Sequence, residues 1–189
     1  MNMVARHRMR GVIAVFEDIY DPLNAAAVLR TCDAFGIQNI YFIFEQQKSF
    51  NPNKIGTDVS TSANKWLSFK TFRSTKICIQ ELKKEHYVCI GTVPPQEREI
   101  KSLFDVKFSE PKIAIFFGNE HAGLSNYAKT HMHSLLSIPM YGMVESFNLS
   151  VSAAICLSHI SHVRIKNVKN PFVSNMEAKN ILKYFLKKK

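Results

Sequence analysis

The sequence predicts an α/β protein: a parallel sheet with helices on both faces. Three observations carry that prediction. Short apolar runs recur along the chain and alternate with amphipathic stretches. The runs are continuous rather than alternately apolar and polar, as expected for strands covered on both sides. Turn and capping residues separate run from stretch, giving repeated βαβ order. With 189 residues, 46% hydrophobic and 21% charged, the chain suits one domain with a sizeable core or a domain plus an appendage, and it excludes wholesale disorder.

The elements follow in order. Residues 11–16 (GVIAVF) read as the first strand. Asn24 is a good N-cap residue for a helix over 25–35, with Gly36 placed just beyond its end. Residues 39–44 (NIYFIF) form the second strand, followed by a long polar loop over 46–64. A weak strand at 66–69 precedes a helix over 74–86, and the runs 87–91 (YVCIG) and 113–117 (IAIFF) are two more strands. A short helix over 125–131 and a short strand over 135–138 come next. The helix over 149–163 should be largely buried through Val151, Ala154, Ile155 and Ile160. After a linker at 167–173, Ser174 and Glu177 make a capping box. Behind it Ala178, Ile181, Leu182 and Phe185 recur at helical spacing, with Lys179, Lys183 and Lys187 turned away.

The net charge of +10 resides at the two ends. Residues 1–10 carry Arg6, Arg8 and Arg10 with no acid. Residues 160–189 carry eight bases and one acid, while 11–159 balance 14 bases with 14 acids. The organisation is therefore a short basic arm (1–10), a neutral body (11–163) and a basic linker with an amphipathic helix (164–189), and an anionic partner is expected. The apolar run behind Arg10 is too short for a signal peptide, and no run approaches a bilayer span. Cys32, Cys78, Cys89 and Cys156 lack metal-site or paired spacing and read as buried thiols of a cytoplasmic protein.

Three segments can carry chemistry. Residues 118–125, GNEHAGLS, follow a buried strand with the glycine interval of a P-loop. Leu124 stands where that loop needs its lysine, which excludes a nucleoside triphosphate site. What remains is a glycine turn at a strand's carboxyl end, where α/β sheets place ligands. Residues 138–150, IPMYGMVESFNLS, pass from a strand through Gly142 into a helix. There Ser146 and Asn148 are both capping types and candidates for a ligand cradle. Residues 21–36, DPLNAAAVLRTCDAFG, set Arg30 six residues after Asn24 on an otherwise apolar helix, suited to a phosphate or a hydroxyl. No G-x-G-x-x-G follows a strand, and the pairs His131/His133 and His159/His162 lack companion metal ligands.

In order and spacing these three segments resemble the motifs of the SpoU/TrmH family of SPOUT methyltransferases. They are most like its tRNA guanosine ribose 2′-O-methyltransferase branch, with Asn64–Trp66 and the basic ends in support. The resemblance implies an α/β knot, in which the C-terminal part of the sheet threads a loop as a trefoil. It also implies a homodimer and S-adenosyl-L-methionine held by the knot loops, and it places Thr92, Gly118, Ile138, Met140 and Phe147 at the cofactor. It assigns Arg30 to the acceptor hydroxyl, Asn24 to the nucleotide or to Arg30, and Glu120, Ser146 and Asn148 to holding the loops and Arg30 in register.

A sulfonium methyl is already activated, so the difficulty lies in deprotonating a ribose 2′-hydroxyl, and positioning with proton removal should carry catalysis. Guanidinium groups hold their proton, which favours Arg30 as polariser of the hydroxyl and phosphate partner over a simple base. The departures are Phe147 where the family usually has leucine, Ala25 and Ala26 at positions often small and polar or glycine, and a short N-terminal arm. The expected activity is methyl transfer to RNA, most readily a tRNA guanosine, without a metal or membrane. The alternatives are an rRNA 2′-O-methyltransferase, a non-catalytic RNA-binding module on the same scaffold, and a small-molecule α/β enzyme with incidental basic tails.

Overall fold

A computed structural model describes residues 1–55, 63–95 and 100–188. Its strands are β1 (Val12–Glu17), β2 (Asn39–Ile43), β3 (Ser68–Phe72), β4 (Val88–Thr92), β5 (Lys101–Ser102), β6 (Ile113–Phe117) and β7 (Ser134–Ser137). They form one parallel sheet in the order β3-β2-β1-β6-β4-β7-β5. The helices are α1 (Asn2–Arg6), α2 (Pro22–Ala34), α3 (Thr75–Lys84), α4 (Asn126–His131), α5 (Leu149–Asn167) and α6 (Asn175–Lys187).

The continuous apolar runs are explained by the two-sided core. Every residue of β1 and β6 is buried. Along β1, Val12, Ala14 and Phe16 face the cluster that holds α2 and α5 residues, whereas Ile13 and Val15 face the cluster under α3 and α4. In β6, Ile113, Ile115 and Phe117 divide from Ala114 and Phe116 in the same way, and Phe16 stacks on Phe117 across the β1–β6 pair.

Local differences from the sequence reading have identifiable causes. Helix α2 begins three residues earlier than expected, because Asp21 is its N-cap: its carboxylate accepts from the Leu23 amide at 2.8 Å, and Pro22 occupies the first turn. Asn24 is thereby an interior residue whose side chain is free for other partners. The far end is as expected. Gly36 takes a left-handed conformation (φ +73°), and the Ile37 and Gly36 amides close back onto the Cys32 and Asp33 carbonyls. Strand β3 begins two residues later than the weak run at 66–69. The short β5 and α1 had no sequence signal strong enough to mark them. Helix α5 is less buried than expected: Ile160 is fully buried, but Ala154 and Ile155 are only partly covered and Val151 is 43% exposed. The capping box of α6 is formed as read, Ser174 and Glu177 each accepting from the other's backbone. Part of the long loop, 56–62, lies outside the described residues.

The two termini pack together. Met9 bridges Phe172, the Arg10 amide donates to the Pro171 carbonyl, and α1 packs on α6. Arg8 is buried, ion-paired with Asp33 at 2.6 Å and set over the Phe185 ring. Arg164 is buried as well and donates to the carbonyls of Arg10, Phe108, Glu110 and Pro111. These two arginines are structural, and the charge offered to solvent by the ends is correspondingly smaller than the sequence count.

Candidate active site

The site lies beyond the carboxyl ends of β4, β6 and β7, where a parallel sheet leaves backbone groups unpaired and loops diverge. Three loops meet there: the β4 exit (Thr92, Val93, Pro94), the β6 exit (Phe117–Gly123), and the segment from Ile138 to α5. Thr92, Gly118, Ile138, Met140 and Phe147 line this one pocket together with Glu120, Ser146 and Leu149. The Thr92 hydroxyl is already committed, donating to the Phe116 carbonyl at 2.9 Å. Its place in the pocket wall is therefore a matter of shape and methyl surface.

The β6 exit is a tight backbone loop. Asn119 and Gly123 exchange both amide–carbonyl hydrogen bonds, with Gly123 at φ +67°, and the Asn119 carboxamide accepts from the His121 and Ala122 amides. A Cβ on Gly118 would stand 2.1 Å from the Gly123 carbonyl carbon. Glycine is thus required for the loop to close on itself.

A second cavity adjoins the first and shares Glu120, His121, Ser146, Phe147 and Leu149 with it. Tyr20, Asp21, Asn24 and Asn148 complete its lining. A directed chain of hydrogen bonds runs along this junction. Asn148 caps α5, its carboxamide oxygen accepting from the Ser150 amide at 2.8 Å and the Ser150 hydroxyl at 2.6 Å. That leaves its Nδ2 to donate to Asn24 Oδ1 (3.1 Å), and Asn24 Nδ2 in turn donates to Glu120 Oε1 (3.0 Å). Glu120 also accepts from the Tyr20 and Asp21 amides at 2.9 and 3.2 Å. Partial burial by itself would raise the Glu120 pKa. The donors outweigh it, Asn24 foremost and the backbone amides next, and hold the carboxyl below the usual range.

The structure thus brings together Asn24, Glu120, Ser146 and Asn148. It does not bring Arg30 to them within this chain. Arg30 follows Asn24 by six residues, about 9 Å along α2 and on another side of the helix. It is exposed, lines neither cavity and makes no hydrogen bond or ion pair among the described residues. Of the two capping types near the α5 start, Asn148 is the cap and Ser146 is left to the cavities.

Sequence reasoning missed the anchors beneath the loops. Glu17, at the end of β1, is 2% exposed and accepts from the Thr75 hydroxyl (2.5 Å), the Ser125 amide and the Ser125 hydroxyl (both 2.8 Å), tying the end of the 118–125 loop to the sheet. Asp18 (φ +51°) accepts from the amides of Glu45, Gln46 and Gln47, while its carbonyl accepts from Asn119 Nδ2. An acidic pair ending an otherwise apolar strand was the available signal for both.

Residues 11–158 match the model of the SpoU rRNA Methylase family. The chain belongs to this family. Similar SpoU relatives include the tRNA (guanosine(18)-2′-O)-methyltransferases of Borreliella burgdorferi, 30% identical over 90% of this chain and 76% of that one, and of Thermus thermophilus, 28% identical over 86% and 80%. The 23S rRNA (guanosine-2′-O-)-methyltransferase RlmB of Neisseria meningitidis is 33% identical over 84% of this chain, which spans 61% of that relative. Among solved structures, the A. aeolicus TrmH/SpoU tRNA modifying enzyme shares the SpoU fold with a TM-score of 0.82, 23% identity and coverage of 98% of this chain and 93% of that one.

Proposed function

We propose that this SpoU protein transfers a methyl group from S-adenosyl-L-methionine to a ribose 2′-hydroxyl of RNA, with a tRNA guanosine as the acceptor. The observation that carries the reading is the meeting of two cavities at one hydrogen-bonded junction, Asn148–Asn24–Glu120, so that a nucleoside cofactor and a ribose can share a wall. The relatives named as tRNA guanosine 2′-O-methyltransferases favour tRNA, and the RlmB relative makes 23S rRNA the second substrate to test.

The pocket suits this cofactor. Its described lining offers apolar surface from Val93, Ile138, Met140, Phe147 and Leu149, one carboxylate in Glu120, and neither lysine nor arginine. Such a wall accepts an uncharged adenosine and a sulfonium-bearing cation and disfavours a polyphosphate. When bound, the cofactor supplies an electrophilic methyl and leaves as a neutral thioether. The protein's part is to hold the acceptor oxygen in line and lower the cost of removing its proton. Asn24 and Asn148 present carboxamides whose orientation is set by the chain of donors, so they meet the ribose without reorganising. Ser146 offers a hydroxyl at the boundary of the two cavities.

Arg30 enters through a homodimer. Leu23, Ala27, Arg30 and Ala34 are all exposed at helical spacing on the outer side of α2. Tyr141, Met143 and Val144 beside the site are 97%, 100% and 66% exposed. An apolar face of this kind favours a second copy, and Arg30, which faces solvent on it, would serve the partner's junction by polarising the hydroxyl and pairing with a phosphate. The family's knot is supported by the order of the strands, since β6 inserts between β1 and β4, and β7 between β4 and β5. No described helix is long and apolar enough to cross a membrane, and the four cysteines are free and buried, which favours the cytoplasm. Incubating unmodified tRNA and 23S rRNA transcripts with labelled cofactor and mapping the product tests the reading. A 2′-O-methylguanosine in tRNA supports it, and absence of ribose methylation in both RNAs refutes it.

A further inference from the structure

We propose that Tyr20, Asp21 and His121 form a nucleobase subsite that takes the guanine of the methylated nucleotide. The inference rests on the RNA reading above and extends it to the base. In a nucleotide whose 2′-oxygen reaches the junction of the two cavities, the base hangs from the neighbouring ribose carbon. With the cofactor in the first cavity, the second is the space left for the base. Its wall is the β1–α2 turn, with Tyr20 and Asp21, and the tip of the 118–125 loop, where His121 borders both cavities.

Two features of this wall are only partly used by the fold. Tyr20 is 63% exposed although it is a large aromatic residue, so its ring contributes little to the core. It is nevertheless held in place. Its amide is fixed to Glu120, and its ring meets the His121 imidazole edge-on, with centroids 6.0 Å apart. A base taken out of its stack loses aromatic contact on both faces, and single-stranded bases regain it on side chains of this kind.

The second feature is the Asp21 carboxylate. One oxygen is engaged in capping α2, accepting from the Leu23 amide, which fixes the side chain. The other has no hydrogen-bond partner among the described residues, and Asp21 lines the same cavity as Tyr20 and His121. The Watson–Crick edge of guanine carries two adjacent donors, N1–H and the 2-amino group, and a carboxylate accepts both. Adenine and cytosine present a ring-nitrogen acceptor there, and uracil a single donor between two acceptors. The wall therefore combines a stacking surface with an edge complementary to guanine.

The test uses full-length protein with S-adenosylhomocysteine bound. Trinucleotides carrying a central guanosine, inosine or adenosine are titrated by NMR, and methyl transfer to the mapped RNA substrate is measured alongside. Inosine lacks only the 2-amino group. Wild type should bind the guanosine form roughly fivefold or more tightly than the inosine form. Asp21→Asn keeps a good helix cap and should erase that ratio. Tyr20→Ala should weaken all three ligands and raise the RNA KM about tenfold or more, with S-adenosylhomocysteine affinity retained, and Tyr20→Phe should recover most of the loss. Equal binding of guanosine and inosine by wild type, or an unchanged KM in Tyr20→Ala, overturns the subsite. Base discrimination without any methyl transfer supports the subsite and refutes the catalytic reading instead.

Discussion

Asn148→Asp offers a sharp test of the site because it separates helix capping from polarity. Aspartate caps a helix as well as asparagine does, so the bonds to Ser150 survive and α5 should start unchanged. The Nδ2 donor to Asn24 does not survive. The introduced carboxylate then presents oxygen to Asn24 Oδ1. Turning the Asn24 carboxamide over only moves the conflict to Glu120, where oxygen again faces oxygen. One hydrogen bond is lost in either arrangement, and a carboxylate oxygen is left facing a second oxygen. Because both asparagines are partly open to water, the loss is about 1–2 kcal/mol rather than the full buried value. That corresponds to roughly 5- to 30-fold in kcat/KM, with little change in thermal midpoint.

Glu120→Gln permits the opposite polarity. The introduced carboxamide nitrogen donates to a turned Asn24, whose own amide then donates to the new carboxylate at position 148, at the expense of the bond from the Asp21 amide. The double variant should accordingly lose less than the two single variants predict together, by about 1 kcal/mol in a double-mutant cycle. Methyl transfer from labelled cofactor and thermal unfolding, measured on all four proteins, supply the cycle. Strictly additive losses, or full activity in Asn148→Asp, would refute the directed chain.

Further outcomes follow from the same geometry. Arg30→Ala should abolish methyl transfer with folding and S-adenosylhomocysteine binding nearly intact, and unchanged turnover would remove Arg30 from the reaction. Glu17→Ala leaves the buried Thr75 hydroxyl without its acceptor and releases the Ser125 amide and hydroxyl, and should cost about 3 kcal/mol, lowering the thermal midpoint by roughly 6–12 °C; a shift under about 2 °C contradicts the anchoring role. The Glu120 carboxyl has a folded-state pKa below its unfolded value, so its contribution to stability is complete above about pH 4.5 and is lost as pH falls through the depressed value. Glu120→Gln should therefore flatten the acid limb of a stability–pH curve. Burial raises the Cys89 and Cys156 thiols to about 11 and about 12, which keeps them protonated at mildly alkaline pH. Native protein should accordingly resist alkylation until it is unfolded. Replacing Lys179, Lys183 and Lys187 by glutamate should weaken RNA binding in a salt-dependent way without changing cofactor affinity. Deleting α6 is a poor substitute for that test, because Phe185 packs on Trp66 and under Arg8 while Tyr184 donates to the Leu67 carbonyl.

The sequence alone determined the layered architecture, since unbroken apolar runs such as 12–16 and 113–117 have no stable place except between two helical layers. It also marked the loops that line the two cavities, because Gly118 and Asn148 are residue types tied to local backbone needs. It misassigned Asn24, for a physical reason: Asp21 and Asn24 are equally good caps by type, and only the seated proline and the Leu23 amide decide between them. Tertiary structure alone decided the rest. Arg8 and Arg164 look like tail charges in the chain and become buried struts once the termini meet. Glu17 reads as the polar end of a strand until Thr75 and Ser125, 58 and 108 residues away, converge on its carboxylate. The Asn148–Asn24–Glu120 chain spans separations of 124 and 96 residues. Local pattern reports what one segment prefers, whereas the partner of a polar side chain is chosen by which distant backbone the fold delivers to it.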